Sequence, residues 1–309
     1  GHTIMFVSGL GGASDLWSID PYGGFPNRIT LGIGEVRFLS SRLPLWSPDG
    51  RYISYLSRKS NNDEVWLWTV DGGAEFQLTD FRGQIHSMNW SPDGQSIIVS
   101  SNHLGSFNIY RVEIPSGKYF RLTSDPRYEI NPVVTPNGQE ILFVRLSENW
   151  ENHEIFAMRT DGSESRLIVK DVDFFDYSYG GTFGYPTVSP NGNSVLFRSQ
   201  RSGFINIWNV SIHGGEPIPI APEETDQSEP AWSPDGQEIA YISNLNGTLS
   251  LRVVNQEGGI PRAMFSPRIG VCSAPQWSPA GSLISFLHGT PTKPNDLWTI
   301  LVETRETRQ

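Results

Sequence analysis

The sequence predicts an all-β fold, a seven-bladed β-propeller of four-stranded antiparallel blades, and three observations carry the prediction. A turn phrase recurs: "WSPDG" at 46–50, 90–94 and 232–236, "WSPAG" at 277–281, and worn forms "VTPNG" at 134–138 and "VSPNG" at 188–192. The residues before each Ser/Thr-Pro are Trp46, Trp90, Val134, Val188, Trp232 and Trp277, spaced by 44, 44, 54, 44 and 45 residues. A period of about 40–45 with several strands per unit is that of a propeller blade. Between the turns, β-branched and aromatic residues alternate with period two, the signature of strands, and long capped helical stretches are missing.

The elements follow in order. The opening "IMFVS" (4–8) and "DLW" (15–17) match "ISYLS" (53–57) and "EVW" (64–66), which puts Gly1 on the Gly50 position. The first blade is therefore expected without its first strand. Each later turn leads into an alternating strand: Ile53-x-Tyr55, Ile97-x-Val99, Ile141-x-Phe143, Val195-x-Phe197, Ile239-x-Tyr241 and Ile284-x-Phe286. A polar loop follows, then a strand with an aromatic at its third position: Trp66, Tyr110, Phe156, Trp208 and Trp298, with Arg252 the exception. A Gly-bearing turn and a short outer strand end the unit. One domain is expected over 1–309, with blade hairpins near 4–20, 53–71, 97–114, 141–161, 195–212, 239–254 and 284–303. A six-bladed ring would leave one hairpin outside.

In each turn Pro sets φ, Asp or Asn caps the chain, and Gly takes the positive φ. The preceding Trp is expected to fill the gap between blades. Two residues before it stand Pro44, Pro132, Pro186, Pro230 and Pro275, with Met88 the sixth. Proline cannot donate to a ladder, so it belongs on an edge strand, here the innermost one along the channel.

With "P-x-W-S-P-D-G" repeated along the whole chain, the sequence resembles the TolB-type, WD-like propeller repeats. It departs from TolB in having seven hairpins and no separate N-terminal α/β domain. It also resembles the N-terminal propeller of prolyl-oligopeptidase-type serine peptidases, where a C-terminal α/β-hydrolase domain carries the chemistry. The first resemblance implies a periplasmic or extracellular setting, the second a cytoplasmic one.

The formal net charge is −10 with no Lys/Arg cluster, against a nucleic-acid partner or an anionic membrane surface. No apolar run reaches the ~18 residues of a membrane span, and no secretory leader is visible at the start. One cysteine, Cys272, forms no internal disulfide and reads as a buried hydrophobe. There is no Gly-x-Ser-x-Gly elbow, phosphate-binding loop or His-Glu-x-x-His, so no catalytic residue is assigned, and no cofactor or metal is implied.

Function is expected at the loops, which propellers gather on one face. The repeat with the ten-residue excess contains "KDVDFFDYSYGGTFGY" (170–185), where Asp171, Asp173 and Asp176 alternate with aromatics including Tyr177 and Tyr179. It reads as a ligand-binding lip, or as a long loop whose rings pack on its own blade. "SENWENHE" (147–154) offers Trp150 and His153; neighbouring inter-blade loops offer Arg82, His86, Arg127 and Tyr128. The expectation is a non-catalytic interaction propeller binding a protein, peptide or glycan on this face. The alternative is the substrate-gating propeller of a serine peptidase whose hydrolase domain lies outside this chain.

Overall fold

The computed structural model describes residues 3–8, 15–29, 44–148, 153–173 and 186–309. Among the described residues twenty-seven strands form seven antiparallel sheets, the blades of a seven-bladed β-propeller. Of blade 1 the described residues form three strands, β1 (Ile4–Ser8), β2 (Asp15–Ile19) and β3 (Asn27–Arg28). The other six have four, ordered along the chain from the channel outward. Blade 2 is β4 (Leu45–Trp46), β5 (Tyr52–Ser57), β6 (Glu64–Thr69) and β7 (Glu75–Gln77). Blade 3 is β8 (Ile85–Trp90), β9 (Ser96–Ser101), β10 (Asn108–Glu113) and β11 (Tyr119–Arg121). Blade 4 is β12 (Glu129–Val134), β13 (Glu140–Arg145), β14 (His153–Arg159) and β15 (Arg166–Val172). Blade 5 is β16 (Thr187–Val188), β17 (Ser194–Ser199), β18 (Asn206–Ser211) and β19 (Ile218–Pro219). Blade 6 is β20 (Gln227–Trp232), β21 (Glu238–Ser243), β22 (Ser250–Asn255) and β23 (Arg262–Phe265). Blade 7 is β24 (Val271–Trp277), β25 (Leu283–Thr290), β26 (Lys293–Leu301) and β27 (Thr307–Arg308).

The repeated turn joins the first two strands of a blade, and its serine closes it. In blade 2 the Ser47 hydroxyl donates to Asp49 Oδ1 at 2.7 Å and accepts the Tyr52 amide at 2.9 Å, while the Gly50 amide donates to the Ser47 carbonyl at 2.9 Å. Ser91 with Asp93 and Ser233 with Asp235 repeat this arrangement, and Thr135 with Asn137 preserves it in a worn turn. Pro132, Pro230 and Pro275 lie on the channel strands as expected, Pro44 and Pro186 directly precede theirs, and for the first three the structure adds the reason. In β12, β20 and β24 the register shifts between Ile130 and Val133, Ser228 and Ala231, and Ser273 and Gln276. Each pre-proline residue, Asn131, Glu229 or Ala274, has positive φ (55°, 55° and 51°). This is a β-bulge, a place where a ladder donor is dispensable.

The core lies mostly between blades. One cluster joins Leu56, Val65 and Leu67 of blade 2 to Ile85, Trp90, Ile97 and Val99 of blade 3. Others join blades 1 and 2, 3 and 4, 4 and 5, 5 and 6, and 6 and 7. A fully buried aliphatic or aromatic side chain contributes about 1.5–3 kcal/mol, so these seams hold the ring. The turn tryptophans reach into the preceding blade: Trp90 Nε1 donates to Ser54 Oγ at 2.9 Å, Trp232 Nε1 to the Thr187 carbonyl at 3.3 Å, and Trp277 Nε1 to the Ala231 carbonyl at 3.1 Å. Of the aromatics at the third position of the third strands, Tyr110 is fully buried, and Trp66, Trp208 and Trp298 pack against the core clusters. Trp17, Trp66 and Trp208 are half-buried, each with a cation above the ring: Arg28 at 5.9 Å, Lys59 at 5.2 Å and Arg201 at 5.2 Å.

Candidate functional site

The loop face is built from the hairpins between second and third strands and from the connections between blades. In three blades a polar residue at the start of the third strand ties the two kinds of loop together. In β6, Glu64 accepts the Thr79 hydroxyl at 2.5 Å and the Phe81 and Arg82 amides at 3.0 Å each. In β10, Asn108 donates to the Asp125 carbonyl at 2.9 Å and to Glu129 Oε2 at 3.2 Å. In β18, Asn206 donates to the Glu223 and Thr225 carbonyls at 3.2 and 3.0 Å. The loops of this face are therefore anchored at their bases.

Between blades 3 and 4 two of the expected residues, His86 and Tyr128, come together around one that sequence reasoning passed over, Phe107. The His86 ring meets Phe107 edge-on at 5.8 Å, and Tyr128 meets it at 5.2 Å. The backbone fixes the group, because the Glu129 amide donates to the Phe107 carbonyl at 2.8 Å and the Ser106 hydroxyl to the Pro126 carbonyl at 2.7 Å. All three rings are partly exposed, as is the neighbouring Leu104. Beside them Arg127 pairs with Asp125 at 3.1 Å and Glu154 at 3.5 Å, and Lys170 reaches Glu154 at 3.8 Å. The Arg127 guanidinium holds the Asp125 carboxyl below the usual carboxylate range, and Asp125 in turn raises the guanidinium.

Beneath this layer Arg145 bonds Glu129 Oε1 at 2.6 and 3.0 Å, lies 3.5 Å from Asp125, and sits 3.9 Å over the Phe156 ring. Glu129 is 0% exposed. Arg145 was also passed over, and nothing in its sequence context marks it: it ends a strand as an ordinary cation would. Phe107 carries a faint signal, an aromatic immediately before the polar anchor where blade 2 has Asp63 and blade 6 Leu249.

The remaining candidates are placed apart. Arg82 is 79% exposed on the blade 2 to blade 3 connection, 3.4 Å from Asp80. His153 opens β14 at 2% exposure, its Nδ1 accepting the Ser147 amide at 3.3 Å, and burial pushes the imidazole down from its ordinary value. Its place is inside the blade. Asp171 is exposed on the outer strand β15, and its carbonyl accepts the Ser199 hydroxyl at 2.5 Å; the Asp173 amide donates to the Arg198 carbonyl at 2.8 Å. Trp150, Asp176, Tyr177 and Tyr179 lie outside the described residues.

Among the described residues, no group of three or more His, Cys, Asp or Glu side chains is gathered as a metal site, and no helix is long and apolar enough to cross a membrane. Cys272 is buried, which pushes its thiol up to about 12. An open groove of about 1000 Å³ lies on the opposite, turn face between blades 4 and 5. Two ion pairs line it, Arg166 with Glu140 and Arg159 with Glu164.

Seven radial sheets, cores at the seams and anchored loops on one face define a β-propeller of the repeat type. The family model described as the TolB beta propeller domain matches residues 38–179 and 177–309, and the chain belongs to that family. It is 32% identical over 106 residues to the uncharacterized peptidase YuxL of Bacillus subtilis, a match covering 32% of this chain and 16% of YuxL. It is 26% identical over 224 residues to the uncharacterized protein Atu1656 of Agrobacterium fabrum, covering 68% of this chain and 58% of the relative. The chain thus spans less than two thirds of the length of either. A puromycin-hydrolyzing peptidase of Mycobacterium tuberculosis has a similar fold, with a TM-score of 0.79 at 15% identity over 100% of this chain and 50% of the peptidase.

Proposed function

We propose that this propeller is a non-catalytic binding domain whose loop face, centred on the seam of blades 3 and 4, holds an extended peptide or a protein segment. The observation that carries the reading is the partly exposed group His86, Phe107 and Tyr128 beside the ion-paired Arg127. Aromatic rings pre-ordered by backbone bonds bury large area at low entropic cost, and aromatics with arginine are the usual anchors of interfaces. A glycan would use the same rings and is the less favoured ligand, because the adjoining charges suit the ends and side chains of a peptide.

The test is selection of a displayed random-peptide library on the immobilised chain, followed by titration of the enriched peptides. Binding should weaken by about tenfold in Phe107→Ala and Tyr128→Ala, the loss of one aromatic anchor, while circular dichroism and the unfolding midpoint hold. Failure to enrich any peptide, or enriched peptides indifferent to both substitutions, would sink the reading.

A second reading has its own support: the peptidase of similar fold has its match to this chain over half its length, and YuxL is named a peptidase. On it the same face screens peptides for a hydrolase domain. Reading the source gene across both ends of this segment decides, since a Gly-x-Ser-x-Gly between strand and helix would be required.

A further inference from the structure

The seam between blades 3 and 4 is filled less completely at its turn end than the seam before it. Between blades 2 and 3, the turn residue Trp90 stacks on Tyr52 with ring centres 6.4 Å and planes 15° apart. Phe76 meets Tyr52 edge-on at 6.3 Å, and Ile114 packs against the same cluster. The period of 44 residues carries each of these places one blade on. Val134 then stands for Trp90, Ser96 for Tyr52, and Ile98 for Ser54, whose hydroxyl receives the Trp90 indole. Thr160 stands for Ile114, since its amide donates to the Gln139 carbonyl as that of Ile114 does to the Gln95 carbonyl. Of the three rings only Phe76 has an aromatic successor, Phe120. Neighbouring side chains do not reclaim the space. A cleft of about 430 Å³ opens there, with Val134, Ser96, Ile98 and Thr160 on its walls and Pro92 and Pro136 of the two turns beside them.

The cleft also holds a charge that the seam before it lacks. Arg111 takes the place of the fully buried Leu67 and lines the opening. Its guanidinium lies 5.0 Å over the Phe120 ring, and among the described residues no carboxylate pairs with it. Asp93 lines the cleft too, but its Oδ1 is engaged by its own turn, accepting the Ser91 hydroxyl at 2.6 Å and the Gln95 amide at 3.0 Å.

We infer that this cleft is a binding site for a small aromatic acid, its flat ring seated where Trp90 sits one seam earlier and its carboxylate on Arg111. The volume is that of an ordinary small-ligand pocket, and apolar walls with one well-placed polar group are the usual lining. A guanidinium and a carboxylate make a strong, directional pair when water is partly excluded. A cationic ligand meets Arg111 unfavourably, and an aliphatic acid leaves the flat slot unfilled. The site opens on the turn face, away from His86, Phe107 and Tyr128, and does not depend on what they bind.

The probe is indole-3-acetate, titrated into protein carrying labelled valine and isoleucine methyl groups and followed by NMR. Saturable binding at one site is expected, with a dissociation constant of about 1 mM or below for a ligand of this size. The Val134 and Ile98 methyl signals should move. Neutral 3-methylindole should bind about tenfold more weakly, and Arg111→Gln should remove that difference, as for one charge-assisted pair. Val134→Trp should weaken binding more than about tenfold, because the new indole takes the seat, while the urea midpoint holds or rises. Thr160→Ile refills another wall and should weaken binding too, which keeps the test open should Val134→Trp misfold. No binding at about 10 mM, shifts confined to other methyl groups, or affinity unchanged in correctly folded Val134→Trp or Thr160→Ile overturns the inference. Equal affinity for the acid and its neutral analogue overturns it as well. So does a dimer of the unaltered chain that Val134→Trp dissolves, because the cleft then receives a second copy.

Discussion

Arg127 and Arg145 both face carboxylates on the same side of the ring, and burial gives them different work. Arg127 is a third exposed, and its pairs with Asp125 and Glu154 are screened by solvent. Arg145 is 12% exposed and satisfies a glutamate that water does not reach. Removing one partner of a buried pair strands the other charge, whereas an exposed pair is worth little. Arg145→Ala is therefore expected to cost about 3–5 kcal/mol by urea unfolding, and Arg127→Ala at most about 1 kcal/mol. Glu129→Gln in the Arg145→Ala background should recover most of the loss, since Asn108 still has its acceptor. Equal costs for the two arginines would refute this ranking. Neither role was legible in the chain. Phe107 and Tyr128 meet across a seam, and which loop residues meet there depends on how two sheets pack, which local pattern does not encode. His153 shows the converse: a polar-looking hairpin suggested a surface histidine, but strand alternation turned it inward.

Among the elements, the turns were the most legible because their chemistry is local. The Pro, Asp and Gly of "SPDG" announced a turn, and the structure adds the serine that closes it. The tight turns between third and fourth strands hide a second constraint that sequence does not show. Gly94 and Gly117, both in blade 3, have nearly the same φ, +69° and +68°. A Cβ on Gly94 would meet its nearest atom at 3.8 Å, but one on Gly117 would overlap the Leu78 carbonyl of blade 2. Gly94→Ala should thus cost the left-handed strain, about 1–2 kcal/mol. Gly117→Ala should cost clearly more, by forcing blades 2 and 3 apart, and thermal unfolding of the two variants side by side measures the difference. Indistinguishable midpoints would mean that the seam yields without cost.

For the molecule as a whole, the repetition of one turn makes acid sensitivity additive. The Ser47 hydroxyl, above all, holds the Asp49 carboxyl down to about 2, and the equivalent serines lower Asp93 and Asp235. Carboxyls with depressed folded values stabilise the fold fully above the unfolded range near 4, and that contribution fades as pH falls through the folded values. Asn137 and Asn191 make the same hydroxyl bonds in blades 4 and 5 without titrating. Changing Asp49, Asp93 and Asp235 together to Asn should therefore narrow the gap in stability between pH 7 and about pH 2.5, read by urea unfolding at both. An unchanged gap would place the acid sensitivity elsewhere. The ring also has a direction. The turn tryptophans, the bulge amides of Asn131 and Ala274, and the Gly117 turn all engage the blade before their own. A chain emerging from the ribosome therefore delivers each new sheet to a neighbour already synthesised, and the order of synthesis and the order of docking coincide.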